Sequence, residues 1–341
     1  MKVIVLMGGT SAEREVSLTT GTGIAAALRR LGHEVVSVDG AGGRILPPGR
    51  EAEAGRLEAT TGASAAATPG ALVQAPSLAG ADVVFIALHG GAGEDGTLQA
   101  LLDLTGRPYT GSGMLASALA MDKAMSKRLF EHAAIPTPRW LLLRADGPAP
   151  LSEDLEPLGG LPVVVKPNDQ GSTVGLSLVR EAKDLARAFA EAVRFSKGVL
   201  VESYVPGREL TVGVLGDEAL PVVEIFPEGG LYDYRCKYTA GMSRYECPAQ
   251  LETGLASRIR ELGRRAFQVL GCRGVARVDF RLDPEGRPYC LEVNTVPGMT
   301  PTSLVPMAAK ARGLSYDDVV ARMLELGLEA AAGQRGGAVR H

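Results

Sequence analysis

The chain is short of several things, and each shortage removes a class of protein. Cysteine is scarce: four in 341 residues, at Cys236, Cys247, Cys272 and Cys290. They are scattered, with no CxxC pair and no histidine close by, which excludes a disulfide framework and a zinc site. Reduced, mostly buried thiols of a cytoplasmic protein fit this usage. An excess of either charge is also missing. Thirty-six Lys and Arg against 39 Asp and Glu leave a net charge of −3, so no overall basic field exists to hold nucleic acid or an anionic membrane. No apolar run approaches the roughly 20 residues that span a bilayer. Val3 to Met7 is too short for a signal-peptide core and meets Gly8-Gly9 at once, so it reads as a first strand. What remains is an ordinary soluble composition, 45% apolar and 22% charged, with enough chain for two or three domains.

Lys2 to Met7 predicts a strand, Ser17 to about Leu31 a helix capped by Ser17, and Glu34 to Val38 the next strand. This βαβ opening argues for a parallel sheet. Ala41 to Gly80 is rich in Ala, Gly, Pro and Thr and reads as a variable excursion with one short helix and no chemistry. The strand Asp82 to Leu88 then runs into His89-Gly90-Gly91-Ala92-Gly93-Glu94-Asp95-Gly96, a loop at the strand end where open α/β sheets place ligands. One continuous amphipathic helix is predicted from Met114 to about His132. Strands follow at Trp140–Leu143, Pro162–Lys166 and Val199–Glu202, with a helix over Ala182–Phe195. The last part holds strands near 209–215 and 220–226, a tyrosine-rich loop from Gly229 to Tyr245, and a helix over Leu251–Leu270. It closes with a hairpin and a helical tail to about Ala331. The expected division is an N-terminal α/β domain (1–111), a central module (112–201), a C-terminal module (202–333) and a frayed tail (334–341).

The hairpin carries the chemistry most openly. With a two-residue period, Ala276, Val278, Phe280 and Leu282 point one way, and Arg277, Asp279 and Arg281 the other. Asp283-Pro284-Glu285-Gly286 is turn chemistry. The same period puts Cys290, Glu292 and Asn294 together on the return strand. Asp279, Glu292 and Asn294 then offer oxygen donors on one face, which suits Mg²⁺; a plain solvated face has the same pattern.

Phosphate devices are few. No GxxxxGK[ST] occurs, and of two GxGxxA patterns the first (21–26) falls inside a predicted helix. The second (111–116) lacks an acidic residue at the end of a following strand. The loop after Lys166, with Gly171-Ser172-Thr173-Val174-Gly175, is the better anion cradle, although a simple flexible turn has the same composition.

Taken together, GGTSAEREVS (from Gly8), ALHGGAGEDGTLQ (from Ala87), YTGSGMLASALAMDK (from Tyr109), VVVKPNDQGSTVG, LYDYRCKY, ARVDF and LEVNTVPGMTPTSLVPMA resemble D-alanine–D-alanine ligases, members of the ATP-grasp superfamily. The segments run in family order over nearly the whole chain. The resemblance implies a three-module ATP-grasp fold, α/β and α+β, with an N-terminal parallel α/β domain. It implies that Lys123 and Lys166 bind ATP phosphates under a loop of Gly171, Ser172, Thr173, Val174 and Gly175. Glu202, Tyr204 and Val205 would form the adenine hinge, and Glu209 would hold the ribose. Asp279, Glu292 and Asn294 would hold two Mg²⁺ or Mn²⁺ ions. Glu13, with Ser172 and Tyr238, would meet the ammonium of the first D-alanine, with His89 nearby. Arg277 and the Gly298 N–H would form an oxyanion hole, and Lys237, Ser303 and Leu304 would take the second carboxylate. Tyr232 would belong to a substrate-covering lid.

The implied reaction joins two D-alanines through D-alanyl phosphate, for peptidoglycan precursors, in a cytoplasmic homodimer. The alternative within the fold couples D-alanine to D-lactate or D-serine, but the D-lactate enzymes change the tyrosine that this chain keeps as Tyr238. Two other classes fit the residues less well. A nucleotide-binding protein with a dead site would lack a lysine, arginine or metal ligand, and none is lacking; an NAD-dependent dehydrogenase would need the dinucleotide loop.

Overall fold

The structure is a computed structural model that describes residues 1–54, 68–228 and 242–337. β1 (Lys2–Met7) pairs in parallel with β2 (Glu34–Asp39) and β4 (Val83–Ile86), and β3 (Arg44–Leu46) closes the edge antiparallel, in the order β3-β2-β1-β4. Val3 to Met7 is fully buried, because both faces of this sheet are covered, and that explains the unbroken apolar run.

The first helix, α1, spans Arg14–Arg30, three residues ahead of the expected start at Ser17. Ser17 is not its cap. Its hydroxyl is buried, donates to Ala87 O at 2.6 Å and accepts the Gly8 N–H at 2.8 Å, tying two strand ends together. A tertiary bond has taken the side chain that local capping rules would claim. The early start puts Glu13 at the helix N-cap, over the C-terminal edge of the sheet. Gly21, within the first GxGxxA pattern, serves packing: a Cβ there would lie 2.4 Å from the Met7 Cβ.

The helix expected over 114–132 is two helices, α3 (Met114–Met121) and α4 (Lys123–His132), which follow α2 (Thr97–Leu104). Asp122 breaks it with ψ 95°, caps the Met125 N–H at 3.0 Å, and accepts from Asn168 Nδ2 at 2.8 Å. Asn168 also accepts the Ala124 N–H. The break is therefore set by a residue 46 positions away, which helical periodicity cannot reveal. Gly111 meets the backbone of Gly274, since a Cβ on Gly274 would come within 3.0 Å of Gly111 Cα. The second GxGxxA pattern is thus a packing contact.

Two antiparallel sheets follow. In the central one, β5 (Trp140–Arg144), β6 (Val163–Pro167), β7 (Ser177–Val179) and β8 (Gly198–Ser203) lie in the order β5-β8-β6-β7. Helix α5 (Leu185–Val193) covers one face with Leu185, Phe189 and Ala192. The C-terminal sheet comprises β9 (Arg208–Leu215), β10 (Glu218–Ala219), β11 (Val223–Pro227), β12 (Ser243–Glu246), β13 (Val275–Leu282) and β14 (Pro288–Asn294). Helix α6 (Thr253–Val269) packs on it, together with Phe130 and Ile135. Helices α7 (Leu304–Ala311) and α8 (Tyr316–Gly337) return to the first domain, where Val305, Val320 and Met323 share a core with Leu18 and Leu28. α8 continues past the expected end at Ala331 and past Gln334, the first residue of the expected frayed tail. The alanines of 330–332 favour that continuation.

The β13–β14 hairpin departs from strict alternation. Arg277 faces Asn294, Val278 faces Val293 and Asp279 faces Glu292, but Phe280 then faces Cys290, leaving Leu291 as an extra residue in a bulge. Cys290 therefore lies in the core with Val278 and Phe280, not beside Glu292 as a two-residue period requires. Burial pushes its thiol well above the ordinary range.

Asp39 fixes the turn after β1. It accepts both Arg14 guanidinium nitrogens (2.8 and 2.5 Å) and the N–H groups of Gly9 and Ala41. Burial raises its pKa, but Arg14 and the N–H groups outweigh burial and hold it below the usual carboxylate value. A depressed folded-state pKa gives stability above the unfolded pKa that is lost as pH falls through the folded one. Asp39→Asn is expected to cost about 1–3 kcal/mol at pH 7, and the gap should shrink below about pH 4. Urea midpoints of both proteins between about pH 7 and pH 3 check this; a gap independent of pH would remove the charge from the account.

Candidate active site

Two cavities meet in the middle of the molecule. One, about 110 Å³, lies between the central and C-terminal sheets. Its lining includes Lys123, Lys166, Glu202, Tyr204, Val205, Glu209 and the apolar side chains of Val164, Leu176 and Leu291. The other, about 560 Å³, reaches from Glu13 and His89 to Arg277, Asn294, Gly298 and Ser303. Lys123 and Glu292 line both.

The lysines are held by backbone breaks and by one carboxylate. Lys123 is the first residue of α4, which the break at Asp122 creates. Its Nζ donates to Gln170 O at 2.6 Å and lies 3.5 Å from Glu292 Oε2. Lys166 ends β6, and its Nζ is 2.7 Å from Glu202 Oε2. Glu202 Oε1 faces a third lysine, Lys127, at 2.5 Å. The same ammonium also donates to Thr137 Oγ1 at 2.6 Å. Burial raises the Glu202 pKa, but the two lysines outweigh it and keep the carboxylate ionised below its ordinary value. Burial pulls Lys123 and Lys127 down, whereas for Lys166 the pull of Glu202 and Glu292 exceeds burial and raises it.

The glycine-rich loop arches over this space. Ser172 and Thr173 sit in the left-handed region, with φ 50° and 64°, a conformation that is rare for non-glycine residues and unusual for β-branched threonine. Such strain, of order 1 kcal/mol or more per residue, gathers where a backbone must present its N–H groups in a set direction. Gly175 (φ 68°) could not be otherwise, because a Cβ would lie 2.8 Å from the Phe195 ring.

At the hinge after β8, the Glu202 side chain turns inward to the lysines. Tyr204 donates its N–H to Pro162 O, so of the N–H groups of Tyr204 and Val205 only that of Val205 is left for a ligand among the described residues. Arg281 braces the segment: its Nε donates to Val205 O (3.0 Å), Nη2 to Gly207 O (3.0 Å) and Nη1 to Glu209 (3.1 Å).

Asp279, Glu292 and Asn294 share one face of the hairpin. Thr211 donates to Asp279 Oδ1 at 2.7 Å, and Arg277 binds both Asp279 oxygens at 2.9 and 2.8 Å. Among the described residues no three His, Cys, Asp or Glu side chains gather as a metal cage. Two carboxylates and an amide are a donor set for a hard cation that completes its shell with water and phosphate, which fits Mg²⁺ and not a structural metal.

In the larger cavity, Ser172 Oγ donates to Glu13 Oε1, linking the central loop to the first domain. His89 is buried with Nδ1 3.4 Å from Glu94 Oε1 and Nε2 3.3 Å from Thr20 Oγ1. Thr20 also accepts the Met299 N–H, beside Gly298. Ser303 is the N-cap of α7 and makes no side-chain cap bond, which leaves the first helical N–H groups able to receive an anion. Tyr232, Lys237 and Tyr238 lie outside the described residues. Lys127, Thr211, Arg281 and the cavity-lining Glu94 are the positions that motif reading did not select. Lys127 lies four residues after Lys123 on one helix face, a spacing that does not say what either lysine meets.

Comparison with known proteins agrees with this arrangement. Residues 2–112 match the family model described as D-ala D-ala ligase N-terminus, and residues 129–325 match D-ala D-ala ligase C-terminus. A D-alanine–D-alanine ligase of Synechococcus sp. (strain JA-3-3Ab) is 44% identical over 333 residues, 97% of this chain and 95% of the relative. One from Syntrophotalea carbinolica is 46% identical over 323 residues, 95% of each chain. The crystal structure of the Bacillus anthracis D-alanine–D-alanine ligase complexed with ATP superposes with a TM-score of 0.80 at 30% identity, covering 98% of this chain and 99% of that one. The fold is therefore ATP-grasp, and the chain belongs to the D-alanine–D-alanine ligase family.

Proposed function

We propose that this chain joins two D-alanines into D-alanyl-D-alanine, with ATP converted to ADP and phosphate, as a step in making peptidoglycan precursors. The observation that carries the reading is the meeting of the two cavities at Lys123 and Glu292. A carboxylate and an amine do not condense in water at neutral pH, so one cavity must deliver a phosphoryl group to an acid held in the other.

Glu13 would hold the ammonium of the first D-alanine, steadied by Ser172 and Tyr238, with His89 beside it. Lys123 and Lys166 would bind the phosphates beneath the loop of Gly171, Ser172, Thr173, Val174 and Gly175. Glu202, Tyr204 and Val205 would form the adenine hinge, and Glu209 would bind the ribose. Asp279, Glu292 and Asn294 would hold the divalent metal, which when bound screens the phosphate charge. The substrate carboxylate oxygen attacks the γ-phosphorus, and the bond to the β–γ bridging oxygen breaks. The second amine then attacks the acyl phosphate carbon, phosphate leaves, and the amine loses a proton. Arg277 and the Gly298 N–H would stabilise the oxyanion between these events. Lys237, Ser303 and Leu304 would orient the second carboxylate, under a lid that includes Tyr232. The same reading places the enzyme in the cytoplasm as a homodimer. No helix among the described residues is long and apolar enough to cross a membrane, and Cys247, Cys272 and Cys290 are free.

The test is phosphate release from ATP against D- and L-amino acids and D-hydroxy acids. D-alanine alone is expected to support turnover. Release with D-alanine only when D-lactate or D-serine is added would favour the alternative product, and indifference to D-alanine would overturn the proposal.

Glu292→Gln is expected to reduce turnover by at least about 100-fold, the scale of losing one charge-stabilising group, while leaving the fold intact. Turnover at low-millimolar Mg²⁺ and a thermal melt check the two halves. Near-normal activity would take Glu292 out of the site.

A further inference from the structure

Lys127 touches neither cavity, and its side chain is wholly buried. A buried lysine is expensive unless it is paired, yet its counter-ion, Glu202, already has a second lysine on its other oxygen. The other charges around the smaller cavity stand in pairs: Lys123 with Glu292, Lys166 with Glu202, Arg277 with Asp279, and Arg281 with Glu209. Lys127 is thus the second cation on one carboxylate.

We infer that Lys127 is a positioning residue that satisfies Glu202 and so leaves the positive charge of Lys166 available to the nucleotide phosphates. Glu202 sits on β8 between β5 and β6, so both its oxygens face inward, one to α4 and one to β6. With Lys127 present, two lysines share one carboxylate and the cluster keeps a net positive charge beside the slot. Without it, Lys166 and Glu202 neutralise each other, and a polyanion meets a neutral wall. In a buried site that difference is large, because little water is present to screen it. Thr137, which accepts from Lys127 and donates to Cys290 O at 2.8 Å, anchors the ammonium next to β14 without sharing its charge.

The inference rests on the nucleotide reading, and a binding measurement separates the two. Calorimetry with Mg-ATP, without D-alanine, compares wild type, Lys127→Met, Lys127→Gln and Lys127→Arg, with adenosine as the uncharged control. Lys127→Met is expected to weaken Mg-ATP at least tenfold and adenosine by no more than about threefold. Lys127→Arg keeps the positive charge beside Glu202 and should bind Mg-ATP at least threefold tighter than Lys127→Met. A purely structural role would weaken ATP and adenosine alike, because it would disturb the hinge as much as the phosphate end of the cavity. If Lys127→Met does not fold, Lys127→Gln, which keeps a polar group for Thr137 but carries no charge, takes its place with the same expected losses. Normal Mg-ATP binding by Lys127→Met, equal losses for ATP and adenosine, or a Lys127→Arg that binds Mg-ATP as weakly as Lys127→Met would each overturn the inference. Failure of the wild type to bind Mg-ATP would overturn the nucleotide reading itself.

Discussion

Holding several cations in a dry interior is the constraint from which the rest of the site follows. Lys123, Lys127 and Lys166 are all buried, and taking an ammonium out of water costs several kcal/mol unless a fixed counter-charge meets it. Glu202 supplies that charge to two of them from a central strand, where the backbone ladder on both sides allows it little movement. The lysines come from elements that converge on this strand: α4, whose start is cut by Asp122, and β6, which ends in the loop that carries Asn168. Since Asn168 also pins the start of α4, helix break, loop and charge cluster form one mutually dependent unit.

The hairpin meets a different requirement. Carboxylates proposed to hold a metal need a rigid polar face, and the sheet beneath them needs an apolar one; alternation supplies both as far as Asp279 and Glu292. Beyond that pair the bulge at Leu291 changes the phase, so two successive residues, Leu291 and Glu292, both line the smaller cavity. The bulge lets one strand present an apolar wall and an anionic ligand side by side while Cys290 returns to the core.

This division also marks how far residue order could be read. The βαβ opening, the glycine-rich loops, the hairpin and its polar face are local patterns of period or composition, and they are legible because neighbouring residues enforce them. Asp122, Ser17, Leu291 and Lys127 were not legible, and the reason is common to all four. Asp122 breaks a helix whose alanine, methionine and lysine content favours continuity, and its partner is Asn168. Ser17 looks like a cap until the strand ends at Gly8 and Ala87 claim its hydroxyl. The bulge at Leu291 depends on pairing with β13, and Lys127 looks like one more surface lysine until Glu202 is placed beside it. Each is decided by a residue far along the chain, where local propensity has no information.

The larger cavity extends this dependence across the whole molecule. Its walls come from the start of α1 at Glu13, the loop after β4 at His89, the central loop at Ser172, the hairpin at Arg277 and Asn294, and the start of α7 at Ser303. No one module encloses it. The strained conformations of Ser172 and Thr173 cost free energy, which contacts from outside the loop help to offset. Two are visible: Lys123, at the start of α4, donates to Gln170 O, and Glu13 of the first domain accepts from Ser172. Both holding groups are charged, and both belong to the residues proposed to meet substrates, Lys123 the phosphates and Glu13 an ammonium. The loop that covers the reacting atoms is thus held by the same charges that would receive them, so its geometry and the electrostatics of the two cavities cannot be varied independently.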